Sequence, residues 1–361
     1  MSAGAIAASS FATSVKRYTR SRGLWLLLLV APVGARFMIA RDNGSGFDIA
    51  VGRHLPVMTS AVLGVSLGIV VSTLLLPIGF LYLRSNTTRR QPWQVEEVTA
   101  PSRVPIMFGR FAADVAMLFA TLTALTLAGW FLALFMVSGP IDLGQITLAL
   151  WLVAAPALVG LAAVHILFAA LPFARRGIGE LLYFVLWMAT LVAPIAIVDR
   201  PAGFGVDMID FAGFVRPLVA GSPLGEHDIA IGGTKILPGR VPLDVMTGLL
   251  SPGYIPSRLT WAAIAFAVAA LAGLLYRPHR ASRRSREAGR LERLMSAGPP
   301  SPADAAAPPA SAAALPVVGL IMAEFRLIGV GRLFTILAVV AAMVGVIGDY
   351  RHVGSPAALS C

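Results

Sequence analysis

Apolar residues gather in six long runs, at 24–40, 57–83, 111–137, 146–171, 178–198 and 259–275, with a seventh at 333–347. At 1.5 Å per helical residue, each has about the length needed to cross a hydrocarbon core ~30 Å thick. A helix satisfies its own backbone hydrogen bonds along such a run. The pattern therefore predicts an all-α, polytopic membrane protein with six transmembrane helices, plus the first span of a second half.

The segments between the runs are unequal. Those at 41–56 and 138–145 are short, whereas 199–258 is about sixty residues rich in glycine and proline. Within it, Ile229, Ile231 and Ile236 around Gly232-Gly233 predict a small hairpin. Residues 207–210 and 211–219 predict a short helix lying on the same face. Ahead of the first run, Phe11, Val15 and Tyr18 share one helical face while Lys16, Arg17 and Arg20 share the other. Residues 1–23 thus read as an amphipathic entry helix suited to the headgroup layer. The six-run domain occupies 24–277. Residues 278–315 form a linker, basic at first and then almost all Ala, Pro and Ser. Aligning Leu24-Trp25 with Leu333-Phe334 places Arg17 on Arg326, and apolar helix, arginine, glycine-bearing hinge and span recur in order. Residues 316–361 therefore read as the start of a second half, and the chain as a piece of a longer tandem protein.

Composition agrees: 57% of residues are hydrophobic and 13% charged, where a soluble domain is nearer a quarter charged. The net charge of +11 raises nucleic acid as a partner, but its distribution points elsewhere. With the N-terminus inside, the inner segments hold 18 Lys and Arg against 7 on the outer side. The positive-inside rule then puts the N-terminus in the cytoplasm, and the basicity reads as topology and contact with anionic lipid. Arginine outnumbers lysine almost throughout, a bias associated with GC-rich bacterial genomes, so a bacterial cytoplasmic membrane is expected. The single cysteine, Cys361, excludes an intrachain disulfide or a CxxC pair.

No phosphate-binding loop, GxGxxG, HExxH or nucleophile elbow occurs, so neither a catalytic site nor a cofactor is expected on this chain. Glu226-His227-Asp228 is the one metal-like cluster, and three adjacent side chains seldom converge on an ion. Ionisable residues inside spans are functional candidates. Asp114 follows Arg110 by four residues, and Glu180 follows Arg176 by four, a spacing that predicts two i,i+4 ion pairs near the inner boundary. His165, near mid-span, reads as a packing or hydrogen-bonding residue. No carboxylate lies near mid-membrane, so an ion-driven carrier is disfavoured and energy should come from elsewhere.

The inner segment 84–110 is the most informative. Between Pro92 and Pro101 it carries Trp93, Glu96 and Glu97, a short helix suited to dock in a partner's groove and pass on a push. Here the chain resembles the type-2 ABC transporter permeases. Arg89-Arg90, Glu96 or Glu97, Pro101-Ser102-Arg103 and Gly109-Arg110 follow the order of that family's coupling segment and third-span opening. The entry helix, six spans and long outer segment also agree, over about residues 10–280. Pro92-Trp93-Gln94-Val95 departs from the family's usual Gly-Thr-Leu before the glutamate, and the glutamates sit one or two places nearer the proline than usual. The resemblance implies a permease, an exporter in family terms, with Trp93, Glu96, Glu97, Pro101 and Arg103 facing a separate ABC ATPase subunit. A second permease half, fused or as a dimer, would complete the pathway. The rival readings are an ion-coupled transporter using His165 with the Asp114 and Glu180 pairs, and a membrane scaffold without transport.

Overall fold

The computed structural model describes residues 2–39, 49–51, 53–88, 103–174, 177–194, 203–222, 229–231, 237 and 239–276. These belong to one compact unit, 1–278. The described residues are mostly helical: α1 (Ala3–Thr19), α2 (Arg22–Met38), α3 (Ser60–Val70), a π-helical turn (Val71–Leu75), α4 (Leu76–Thr88), α5 (Arg103–Met136), α6 (Leu143–Ala170), α7 (Gly177–Val192), the short α8 (Phe204–Asp207), α9 (Val215–Ala220) and α10 (Val245–Leu249), and α11 (Tyr254–Leu275). The repeat and linker expectations at 278–361 lie outside the described residues.

Among the described residues four helices are long and apolar enough to cross a membrane: Ser60–Asn86, Arg103–Met136, Leu143–Ala170 and Tyr254–Leu275. The other two runs are helical but shorter. α2 has 17 residues and an internal Pro32, and α7 has 16, giving about 25 Å each.

The continuous helix α3–α4 is the centre of the bundle. Every residue from Ser60 to Val70 is buried, as expected of a helix that is apolar all round. Its polar side chains turn back on its own backbone: Ser66 and Thr73 each donate to the carbonyl four residues earlier at 2.8 Å. Gly64 and Gly68, one turn apart, let α6 press against it. A Cβ on either would lie 2.6 Å from the Ile146 carbonyl oxygen or from Val153 Cγ1. Side-chain caps start both this helix and α6: Thr59 accepts from the Val62 N–H, and Asp142 from the Gln145 N–H at 3.1 Å.

The entry helix forms, with its buried face shifted from the expected one: Tyr18 is buried and Val15 packs against the core as their periodicity suggests, but Phe11 does not. Ile6, Ser10, Ser14 and Tyr18, four residues apart, make the buried line, while Phe11 is exposed. Ser10 Oγ donates to the Ile106 carbonyl, and the Tyr18 hydroxyl to Asp114. Both bonds join residues 96 apart, so α1 runs in the same direction as the first turns of α5. A Cβ on Gly109 would meet Ser10 Cβ at 2.8 Å and the Ala7 carbonyl more closely still, so glycine is what permits this approach. α5 spans 34 residues, about 51 Å, and exceeds a ~30 Å core by about the length that α1 covers.

The turn of the hairpin expected around Gly232-Gly233, with Ile236, lies outside the described residues, whereas Ile229 and Ile231 lie in a described strand. β3 (Ile229–Ile231) pairs antiparallel with β1 (Ile49–Val51), Ile49 opposite Ile231, and β2 (Leu55–Pro56) pairs in parallel with β4 (Arg240–Val241). Each pairing gives backbone groups of both strands partners across segments far apart in the sequence.

Candidate functional site

Three linked features stand out: a buried polar cluster at the α1 end of the bundle, an apolar cavity beyond it, and a buried ionic cap at the end carrying 203–258.

The polar cluster centres on Asp114, which is 1% exposed. One carboxylate oxygen accepts from the Tyr18 hydroxyl, and the other lies 2.7 Å from His165 Nδ1. Burial, and then the negative charge of Asp114, push the Tyr18 phenol well above its ordinary value, so it stays a donor. Phe80 continues the cluster, edge-on to the His165 ring and stacked on Tyr183 at 3.7 Å. The Arg84 guanidinium lies over Phe80. It donates to Glu180 at 3.1 Å and to the Ala174 carbonyl at 2.9 Å. Asp114 thereby joins α1, α5 and α6, and Arg84 joins α4 to α7.

Of the two ion pairs expected from spacing, Arg110 with Asp114 is the one whose residues are both described, and there tertiary partners take the carboxylate. Asp114 lies on the α5 face that also buries Met107, Phe111 and Leu118, so its short side chain meets Tyr18 and His165 and not Arg110. The Arg110 guanidinium lies over the Tyr276 ring at 5.8 Å. Glu180 takes Arg84, and Arg176 lies outside the described residues. His165 is a hydrogen-bonding residue as expected, but its partner is a buried carboxylate. Met136 ends α5 about 33 Å beyond Asp114, so a ~30 Å core set against that end leaves Asp114 at its opposite edge. Arg103 donates to the Tyr276 carbonyl at 3.1 Å, tying the start of α5 to the end of α11. Trp93, Glu96, Glu97 and Pro101 lie outside the described residues, as does Glu226-His227-Asp228. Among the described residues no three His, Cys, Asp or Glu side chains converge as metal ligands.

The cavity, about 240 Å³, lies between α4, α6, α7 and α11, with Phe211 at one end. Pro77 follows Leu76, one of its lining residues. In the π-helical register the Leu76 N–H reaches the Val71 carbonyl, and the next donor would be residue 77, a proline without an N–H. The Ser72 carbonyl is instead met by Trp187 Nε1 at 2.9 Å, and the Leu76 carbonyl by the Tyr183 hydroxyl at 2.9 Å. Two aromatic residues one turn apart on α7 thus close the irregular turn of the central helix. The combination of Pro77 with Tyr183 and Trp187 was present in the sequence, but nothing there located their partners.

At the far end, Asp207, Asp210, Arg216 and Arg258 are buried together. Arg216 Nε lies 2.8 Å from Asp207 Oδ1. Asp210 accepts from the backbone N–H groups of Gly213, Val215 and Arg216. Burial pushes its carboxyl up, against the pull of Arg258 and those three donors. Arg258 donates to the carbonyls of Phe211, Asp207 and Asp210 and lies over the Tyr254 ring. The surface helix expected at 207–219 is therefore two short helices around buried charges. The mixed pattern of this loop hid them, because two carboxylates and two arginines in a Gly/Pro-rich stretch look solvated.

No protein-family model, curated protein or solved structure matches this chain.

Proposed function

We propose that this chain is the membrane-spanning permease subunit of an ATP-driven transporter of the ABC type, an exporter, in a bacterial cytoplasmic membrane. In this reading α2 and α7 complete six spans, the N-terminus is cytoplasmic, and a second permease half completes the substrate pathway. A separate ATPase docks on the 84–110 segment. The observation that carries the reading is where that segment is attached. It runs out of α4 just after Arg84, which holds α7, and into α5 ahead of Asp114, which holds α1 and α6. A displacement of the segment between them is therefore delivered to five helices through buried, charge-assisted bonds. The resemblance of residues 89–110 to a coupling segment supplies the partner.

The test is to replace Glu96 and Glu97 together by alanine. Truncating an interfacial charge partner costs on the order of 2–5 kcal/mol, so co-purification of an ATPase should fall at least tenfold while membrane insertion is kept. The purified chain alone should hydrolyse no ATP; hydrolysis surviving removal of all other proteins refutes the reading. An ion-coupled carrier is the second reading, favoured by the buried Asp114–His165 pair. It gains if His165→Ala abolishes transport while the glutamate double variant transports normally.

A further inference from the structure

The 240 Å³ cavity is chemically one-sided. Four of its lining residues carry a polar side-chain atom, and each is already committed. Tyr183 and Trp187 serve the π-turn. Thr190 donates to the Trp187 carbonyl at 2.7 Å, and Trp261 Nε1 to the Met208 carbonyl at 3.0 Å. A guest therefore finds no free side-chain donor and, apart from the Tyr183 and Thr190 oxygens, only aliphatic and aromatic faces, so most polar groups carried inside would lose their water without a partner.

The cavity also has a direction. Leu186 on α7 and Ile264 on α11 line it and are at the same time 43% and 38% exposed, so they form its mouth. The surface beside the mouth is apolar as well, with Leu182 on α7 and Leu271 on α11 exposed. In a helix bundle long enough to cross a membrane, that surface meets lipid tails. The inner wall does not: Ala157, Leu161 and Ala163 are 0%, 3% and 1% exposed. Size selects among apolar occupants. A cavity of about 150 Å³ holds the six carbons of benzene, so this one holds about ten carbons in a row. A partner helix, about 10–12 Å across, is too wide.

We infer that this cavity is a binding site for a single hydrocarbon chain, entering sideways from the bilayer between Leu186 and Ile264 and ending against Phe211. The site accepts the tail of a lipid and leaves its headgroup outside. Gly160 sets the end of the slot: a Cβ there would lie 2.8 Å from the Phe211 ring. The inference requires no transport activity and stands apart from the permease reading.

The test uses the full chain in nanodiscs containing phosphatidylcholine with a photoactivatable diazirine in its acyl chain. After illumination, labelled residues are mapped by peptide mass spectrometry. Label is expected on Leu161 and its neighbours Ala157 and Ala163, besides the freely exposed Leu274 on the outside of α11, which is 72% exposed. Ile264→Trp, a change at the mouth that asks nothing of the packed core, should reduce the inner label at least fivefold and leave the Leu274 label unchanged. Ala157→Leu, which fills the inner wall, should do the same. Label confined to outer faces in the unmodified chain overturns the inference. So does inner label that survives both substitutions.

Discussion

Removing one hydroxyl should loosen the entry helix from the bundle. Tyr18 and Asp114 are buried, 5% and 1% exposed, and their bond joins α1 to α5. Tyr18→Phe keeps the ring, which packs near Tyr82 with centroids 5.8 Å apart, and deletes only the donor. A hydrogen bond to a charged group contributes about 1.5–3 kcal/mol, and α1 retains its second bond, Ser10 to the Ile106 carbonyl. The undocked fraction of α1 should therefore rise about 10- to 150-fold. Ser14, buried on the same line, is the reporter: Ser14→Cys in a Cys361→Ser background is labelled by maleimide only when α1 leaves α5. In Asp114→Asn, which leaves a neutral acceptor, the same Tyr18→Phe change should be worth only about 0.5–1.5 kcal/mol. The bond also has a pH signature. Tyr18 is raised above its ordinary value of 10.0 in the folded protein. Its contribution is thus complete below pH 10 and is lost as pH rises from there toward the folded value. Labelling corrected for thiolate fraction should be flat from pH 7 to 9. A rate change under threefold in Tyr18→Phe, or equal changes in both Asp114 backgrounds, refutes the reasoning.

Three further outcomes follow from the geometry. Gly109→Ala should displace α1 through its contact with Ala7 and Ser10, at about 1–3 kcal/mol, read as faster Ser14→Cys labelling. Arg258→Met should lower stability by about 3–5 kcal/mol in thermal unfolding, since it strips three carbonyls and leaves two buried carboxylates with one arginine. Trp187→Phe should cost about 1–3 kcal/mol by orphaning the Ser72 carbonyl, and Pro77→Ala added to it should recover part of the loss by restoring an N–H.

Much of the architecture was legible because a hydrophobic run reports its own surroundings. The helical identity of all six runs from 24 to 275 needed only apolar length, and α3–α4, apolar on every side, became the buried centre. Turn-scale signals were local as well: Asp142 and Thr59 begin their helices through bonds to residues three places on. Spanning length was less secure, because the ends of α2 and α7 depend on what surrounds them. Sequence spacing was least informative where a side chain had to choose a partner. Spacing along one helix offered Arg110 to Asp114, but within the bundle Tyr18 and His165, 96 and 51 residues away, occupy the positions its carboxylate faces. Glu180 meets Arg84 across a helix boundary, and Ile229–Ile231 pairs with a strand about 180 residues earlier, two partners that spacing did not offer. Burial makes these choices, because an ionised or polar group removed from water must be met by whichever complementary group the packed helices bring within reach. Sequence periodicity specifies which face of a helix turns inward; only the packing of several helices specifies what that face meets.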